Sequence, residues 1–334
     1  MSTADCGPSG HYSFHLHRSL NARPLRYVPG YSVNAIGAVA RKVGATHLIC
    51  DSPYLAPAVH RVSWEWGAPW YLRTHSIERE RFRQLGKLWW PLMGFFEGSM
   101  MRKAKGTFFL SPEDCRWALK QYALKASAAH VSPFGVGWEA APHDKTRARQ
   151  WIAAEHGIDP NAPWLYFLGA LGYEPNADAV RNLVHHVVPG LQKAGQDFSM
   201  LIGGKGLNED VVAELEAAGG KIHYLGFVEN IDYLIKACDV MLNPVLSRGG
   251  VRTKAIEALA YDKIVVSTQA GAAGIERSVC GPNLLVAANG NWEAFAGLTL
   301  QAMDTPPAIP QAFFEHYYWG NIAANMLAVM GIDL

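Results

Sequence analysis

From Gly249 to Glu276 the chain reads GGVRTKAIEALAYDKIVVSTQAGAAGIE, which places a Gly-Gly pair with two cations just behind it, carboxylates and a second glycine-rich turn in 28 residues. Backbone N–H groups approach an anion closely where no Cβ intervenes, and a helix N-terminus adds partial positive charge. Gly249 and Gly250 precede the helix expected from residue 253, and Gly271 and Gly274 follow the next expected strand, so both turns meet that demand. Arg252 and Lys254 stand at the start of this helix, where a cation opposes the helix dipole. An external dianion accounts for them. Lys254 and Glu257 are three residues apart and share a helix face with Gly250, so a cation and a carboxylate point into one crevice. The competing reading is an ordinary surface ion pair, worth a few tenths of a kcal/mol.

The elements that must position these residues follow from periodicity. In the second half, strands are expected at 164–168, 198–202, 222–225, 240–242, 264–268 and 284–286. Helices are expected between them, at 178–193, 210–218, 233–237, 253–260 and 292–303. Such alternation predicts a doubly wound parallel α/β sheet with ligands at the carboxyl ends of its strands. Gly169 closes the first of these strands, before the loop ALGYEPN. The first half predicts strands at 46–50, 70–73, 107–110 and 130–132. Its helices are expected at 35–43, 57–65, 77–103 and 113–122. The segment SPFGVGWEAAPHDK, 132–145, is the expected boundary. The domains read as 1–137, 138–310 and a closing helical segment, 311–334, packing back on the first domain or simply covering the second.

Composition narrows the function classes. A chain of 334 residues points to two domains. A formal charge of +1 gives no global attraction to nucleic acid or to an acidic membrane, so an anion must be met by a local site. Five cysteines without a CxxC pair argue for reduced thiols, against a disulfide framework and against a zinc site. With no apolar run of about 18 residues and no signal-peptide pattern at the start, the protein is expected to be soluble and cytoplasmic.

Three segments carry a resemblance: YFLGALGYEPNADAVRNLV at 166–184, LIGGKG with IHYLGFVENIDYLIKACDVMLNPV at 201–245, and the 249–276 stretch. In order and spacing they resemble the donor domain of retaining glycosyltransferases of the GT-B fold, most closely family 4. YLRTHSIE at 71–78, TFFLSPEDC, SPFGVG and the late EHYYWGN extend the likeness more thinly into the rest of the chain. The resemblance implies two Rossmann-like domains facing each other across a cleft. It implies transfer of a sugar from a UDP- or GDP-sugar, with retention, to a glycan, lipid-linked saccharide or small molecule, as in polysaccharide biosynthesis. No resident cofactor, no metal and no nucleic-acid partner is implied.

By that likeness Glu257 binds the ribose, and Arg252 and Lys254 neutralise the diphosphate. Gly169, Gly249, Gly250, Val251 and Gly271 line the phosphates, and Gly226 and Val228 of GFVEN meet the base through backbone atoms. His75, directly after the strand YLRT, faces the transferred sugar and supports an oxocarbenium-like transition state. Arg73 and Glu78 are secondary candidates. Two departures stand out. Gly249 replaces the first glutamate of the family's Glu-x7-Glu motif, and only about 75 residues precede His75, fewer than the family usually has, as if the first domain were truncated at its start. A non-catalytic GT-B partner protein and a nucleotide-sugar epimerase remain alternatives. KLWWPLMGFFEGSMMRK, 87–103, is aromatic and basic at both ends, which suits peripheral contact with the inner face of a membrane, although a helix apolar nearly all round is more often core.

Overall fold

The computed structural model describes Leu20, residues 29–247 and residues 250–333. The chain forms two compact units, Met1–Pro133 and Phe134–Leu334. The division falls just ahead of the position expected at 137/138 because residues from Phe134 onward are tied into the second unit. There the Val136 N–H donates to the Tyr317 carbonyl at 2.7 Å, and the Trp319 N–H donates to the Val136 carbonyl at 3.0 Å.

The first unit holds four parallel strands in the order β1 (Leu48–Cys50), β2 (Trp70–Thr74), β3 (Gly106–Phe109) and β4 (Ala129–Val131). Among the described residues its helices are α1 (Pro29–Val43), α2 (Ala56–Trp66), α3 (Glu78–Gln84), α4 (Trp90–Lys103) and α5 (Pro112–Gln121). The helix expected over 77–103 is two helices. The chain leaves α3 at Leu85 and turns at Gly86, whose φ of 66° is open to glycine at no steric cost, before α4 begins with Pro91 in its first turn.

The second unit holds six parallel strands: β5 (Trp164–Leu168), β6 (Ser199–Gly203), β7 (Ile222–Gly226), β8 (Val240–Asn243), β9 (Ile264–Thr268) and β10 (Leu284–Ala287). Their spatial order is β10-β9-β8-β5-β6-β7, so the winding reverses between β5 and β8. All five residues of β5 are buried. Trp164, Tyr166 and Leu168 enter one apolar core, with helices α6 (Lys145–His156), α10 (Ile231–Ala237), α11 (Thr253–Ala260) and α13 (Gln311–Tyr317). Leu165 and Phe167 enter the other, with α7 (Glu174–Asn182), α8 (Val188–Lys193), α9 (Glu209–Ala217) and α12 (Trp292–Asp304). This two-faced burial is why the strands read as continuous apolar runs.

Between α7 and α8 one π turn, Leu183–Val187, precedes Pro189. Proline has no N–H to give to a regular helix and crowds the carbonyl one turn back. The closing segment is also two helices, α13 and α14 (Trp319–Met330), parted at the extended Tyr318. Gly135 makes room beneath them, since a Cβ there would overlap the Trp319 ring.

Candidate functional site

In a doubly wound sheet the loops on either side of the winding reversal run in opposite directions and leave a crevice at the carboxyl strand ends. Here that position lies between β5 and β8, and a cavity of about 170 Å³ occupies it. Phe167 and Leu168 contribute from the end of β5, Met241 and Asn243 from β8, and Arg252 and Lys254 from the start of α11. Val251 also lines it, and Gly250 has a φ of 67°, the left-handed backbone that favours glycine. Gly249 lies outside the described residues.

Backbone packing sets the walls. Gly169 donates its N–H to the Gly203 carbonyl at 3.0 Å, and Leu171 donates to the Lys205 carbonyl at 2.8 Å, so the loops after β5 and β6 lie flat together. A Cβ on Gly204 would overlap the Gly169 carbonyl, and one on Gly169 would sit 2.9 Å from Asn176 Nδ2. Gly226 ends β7 with a φ of 60°, and its carbonyl accepts from the Gly204 N–H at 2.6 Å. Val228 packs beside it: a Cβ on Gly203 would meet Val228 Cγ2 at 3.1 Å. On the β8 side, Asn243 Nδ2 donates to Ser267 Oγ and to the Gly271 carbonyl, both at 3.0 Å. The Gly271 N–H donates to Thr268 Oγ1 at 2.9 Å, so both backbone groups of Gly271 are bonded inside the protein. What its missing side chain supplies is the close approach of the two strand ends: a Cβ would lie 2.7 Å from Asn243 Nδ2.

The charges at this site are less satisfied than its backbone. Among the described residues neither the Lys254 nor the Glu257 side chain makes an ion pair or hydrogen bond, so the surface ion pair weighed from their spacing does not form at contact distance. Partial desolvation lowers the Lys254 pKa and raises that of Glu257; each is partly offset by the other's charge, and Asp232 adds a further push upward on Glu257. Arg252 turns one nitrogen, Nη2, to the Ser247 carbonyl at 2.6 Å and to Ser247 Oγ at 2.8 Å. Its Nε is buried with no hydrogen-bond partner, and desolvation lowers its pKa too. A fully buried hydroxyl, Tyr166 Oη on β5, is also without a partner and feels the charge of Glu257. Three charged groups held partly out of water with no salt bridge at contact distance among the described residues are costly unless a ligand completes them.

A second recess of about 1170 Å³ opens at the opposite, amino end of the same sheet. It is larger, but its charges are already matched. Asp239 pairs with Lys145 and with Arg149, the latter at 2.9 Å, and Lys263 donates to the Lys236 carbonyl at 2.9 Å. The unmatched charges mark the carboxyl end as the binding candidate.

In the first unit His75 follows β2 and is exposed, with Nε2 3.1 Å from Asp51 Oδ1. Asp51 follows β1 and also accepts from Arg73 at 3.2 Å. Desolvation raises the Asp51 pKa, but the His75 contact and Arg73 outweigh it and hold the carboxyl below its usual range. The Asp51–His75 dyad was not anticipated, because the partners are 24 residues apart and meet only through the β1–β2 register, in which Cys50 lies opposite Leu72. An acid directly after one strand and a histidine after the next was its only trace in the sequence. Glu78 is buried. Its carboxylate accepts from Tyr54 Oη at 2.5 Å, Ser76 Oγ at 3.0 Å and Arg81 Nη1 at 2.9 Å, which makes it a brace for the His75 turn. Glu97, fully buried on α4, caps α3 by accepting from the N–H groups of Glu78 at 3.0 Å and Arg79 at 3.3 Å, and it also accepts from Tyr122 Oη at 2.7 Å.

Among the described residues no group of three or more His, Cys, Asp or Glu is placed to hold a metal ion, and Cys50, Cys115, Cys238 and Cys280 are free and buried. No described helix is long and apolar enough to cross a membrane.

Residues 162–305 match the family described as Glycosyl transferases group 1. The second unit carries a group 1 glycosyltransferase domain. Solved structures place that domain in the GT-B fold. A glycosyltransferase from Rickettsia africae ESF-5 superposes with a TM-score of 0.71 at 16% identity, over 92% of this chain and 81% of that one. Anabaena Alr3699/HepE, solved with UDP-glucose, gives 0.68 at 17% identity, over 93% and 85%. Sucrose-phosphate synthase from Thermosynechococcus elongatus gives 0.69 at 16%, over 93% and 79%. No curated protein matches the chain in sequence. The match to the glycosyltransferase domain spans the ends of β5 and β8 and the start of α11, the elements that line the crevice.

Proposed function

We propose that the protein is a retaining glycosyltransferase of the family 4 type that moves a sugar from a nucleoside-diphosphate sugar to a saccharide, lipid-linked or small-molecule acceptor. The observation that carries this reading is the start of α11, where Arg252, Lys254 and Glu257 are partly desolvated and short of partners at the winding reversal of a glycosyltransferase domain. A diphosphate supplies the counter-charge for the two cations, and ribose hydroxyls supply donors for Glu257. Neutralising the departing diphosphate is stabilisation of charge that grows in the transition state, the kind that raises turnover rather than binding alone. The turns at Gly169, Gly250 and Gly271 shape the phosphate end, and Gly226 and Val228 meet the base. UDP is the preferred nucleotide, in keeping with the UDP-glucose complex of the Anabaena protein. His75, oriented by Asp51, is the first unit's catalytic residue, hydrogen-bonding a hydroxyl of the reacting sugar.

Isothermal titration of the wild-type chain with UDP, GDP and ADP tests the donor site. UDP is expected to bind, and Glu257→Ala to weaken it about 10- to 100-fold. Absence of binding to all three nucleotides sinks the proposal. NMR of the anomeric proton in the product of UDP-glucose turnover tests retention, and an inverted product would overturn that part alone.

A further inference from the structure

Helix α4 is apolar on its outer face as well as on its buried one. Its buried face is built from Met93, Gly94, Glu97, Gly98 and Met101, while Leu92 and Phe95 on the other face are 72% and 76% exposed. The two glycines bring that buried face close to its neighbours. A Cβ on Gly94 would sit 2.6 Å from Arg79 Cδ, and one on Gly98 2.6 Å from the Tyr122 ring, so the helix packs closely through these glycines and its methionines and leaves Leu92 and Phe95 outside. The loop between α3 and α4 extends the patch with Leu85, Leu88, which is 94% exposed, and Trp89. The patch is firmly held: the Trp89 ring packs on Phe82 with centroids 4.2 Å apart, and Arg79 lies 5.0 Å over Trp90 and 5.5 Å over Trp117.

The exposed charges that the hairpin leaves without an ion pair among the described residues are basic. From Arg81 to Lys105 the only acid is Glu97, which is buried, against six bases. Arg81 and Arg83 keep partners in Glu78 and Glu80, whereas Lys87 and Lys103 make no ion pair among the described residues. Exposed leucines and aromatics on a rigid amphipathic hairpin, flanked by cations and free of exposed acids, match a bilayer with anionic head groups: the apolar side chains enter the acyl boundary and the lysines meet lipid phosphates. We propose that the α3–α4 hairpin docks the protein peripherally on an anionic membrane surface. The surface belongs to the first unit, so this inference and the donor reading fail independently.

Co-sedimentation of the whole chain with vesicles tests it, using phosphatidylcholine alone and phosphatidylcholine mixed with phosphatidylglycerol. Binding is expected with the anionic vesicles, weakening as salt is raised. The double variant Leu92→Asp, Phe95→Asp should lower the bound fraction about tenfold, and Lys87→Glu by a similar factor on anionic vesicles only. All three positions are exposed, so circular dichroism and UDP titration of the variants should match wild type. Wild type that stays in the supernatant with both vesicle types overturns the proposal. So does binding that the variants leave unchanged, or a dimer seen by sedimentation velocity that the double variant dissolves while lipid binding is absent.

Discussion

The turn after β2 and the start of α11 are both built from charged side chains, and they treat those charges in opposite ways. In the first unit Glu78 has three side-chain partners and Glu97 has two backbone donors and a phenol. In the second, the side chains of Lys254 and Glu257 have none within bonding distance among the described residues. A satisfied buried carboxylate holds a loop in shape, and removing it leaves donors stranded. An unsatisfied one adds nothing to folding, and its natural complement is a ligand. The contrast separates a supporting network from a binding surface without reference to any relative.

The largest effect should come from breaking the satisfied side. Glu97→Ala strands the N–H groups of Glu78 and Arg79 and the Tyr122 hydroxyl in a buried place and is expected to cost about 3 kcal/mol of stability, read by denaturant unfolding. A loss below about 0.5 kcal/mol would show that the network is not holding the turn.

The unsatisfied side should respond in the reverse sense. Lys254→Ala and Glu257→Ala are each expected to weaken UDP about 10- to 100-fold, equivalent to about 1.5–3 kcal/mol, while leaving the melting temperature unchanged or raised. A melting temperature that falls by several degrees in either variant would place the residue with Glu97 among the structural groups and erase the distinction.

How much of this was legible in the sequence follows the same division. The strand at Trp164–Leu168 and the helix at Thr253–Ala260 were readable to the residue, because an apolar run and a 3.6-residue period are local properties. That Arg252, Lys254 and Glu257 are neighbours was readable for the same reason, since they stand at the N-cap and in the first two turns of one helix. The Asp51–His75 contact and the reach of Glu97 to α3 depend on register and tertiary packing, which local pattern does not encode. The break at Gly86 was hidden by apolar residues on both sides. The outward face of α4 was hidden by hydrophobicity all round, since which apolar face is buried depends on tertiary packing at Gly94, Glu97 and Gly98.

A smaller effect, with a definite sign, comes from pH. Burial pushes the Glu97 carboxyl up to about 7 in the folded chain, against 4.5 ordinarily, even though the bonds from Glu78, Tyr122 and Arg79 pull it down. The folded state therefore holds a proton that the unfolded state has released, so the contribution is complete below the unfolded value and is lost as pH rises through 7. Stability should fall by about 1.4 kcal/mol between pH 6 and 8. Glu97→Gln, which keeps an acceptor but cannot ionise, should flatten that slope in paired unfolding curves. An unchanged slope would assign the pH dependence to another group.

The smallest stability effect, and the sharpest test of the boundary between support and function, is Asp51→Asn. Both side chains of the Asp51–His75 pair are more than half exposed, so as an ion pair it is worth under about 1 kcal/mol and is weakened by salt. Its importance lies in orientation. The carboxylate fixes which imidazole nitrogen carries the proton and where the ring points, and asparagine can present the wrong atom to Nε2. Asp51→Asn should therefore leave unfolding within about 0.5 kcal/mol of wild type and lower kcat for transfer several-fold with little change in KM for the donor. A variant that loses stability and keeps kcat would move His75 to the satisfied side of the comparison, as one more brace of the β2 turn.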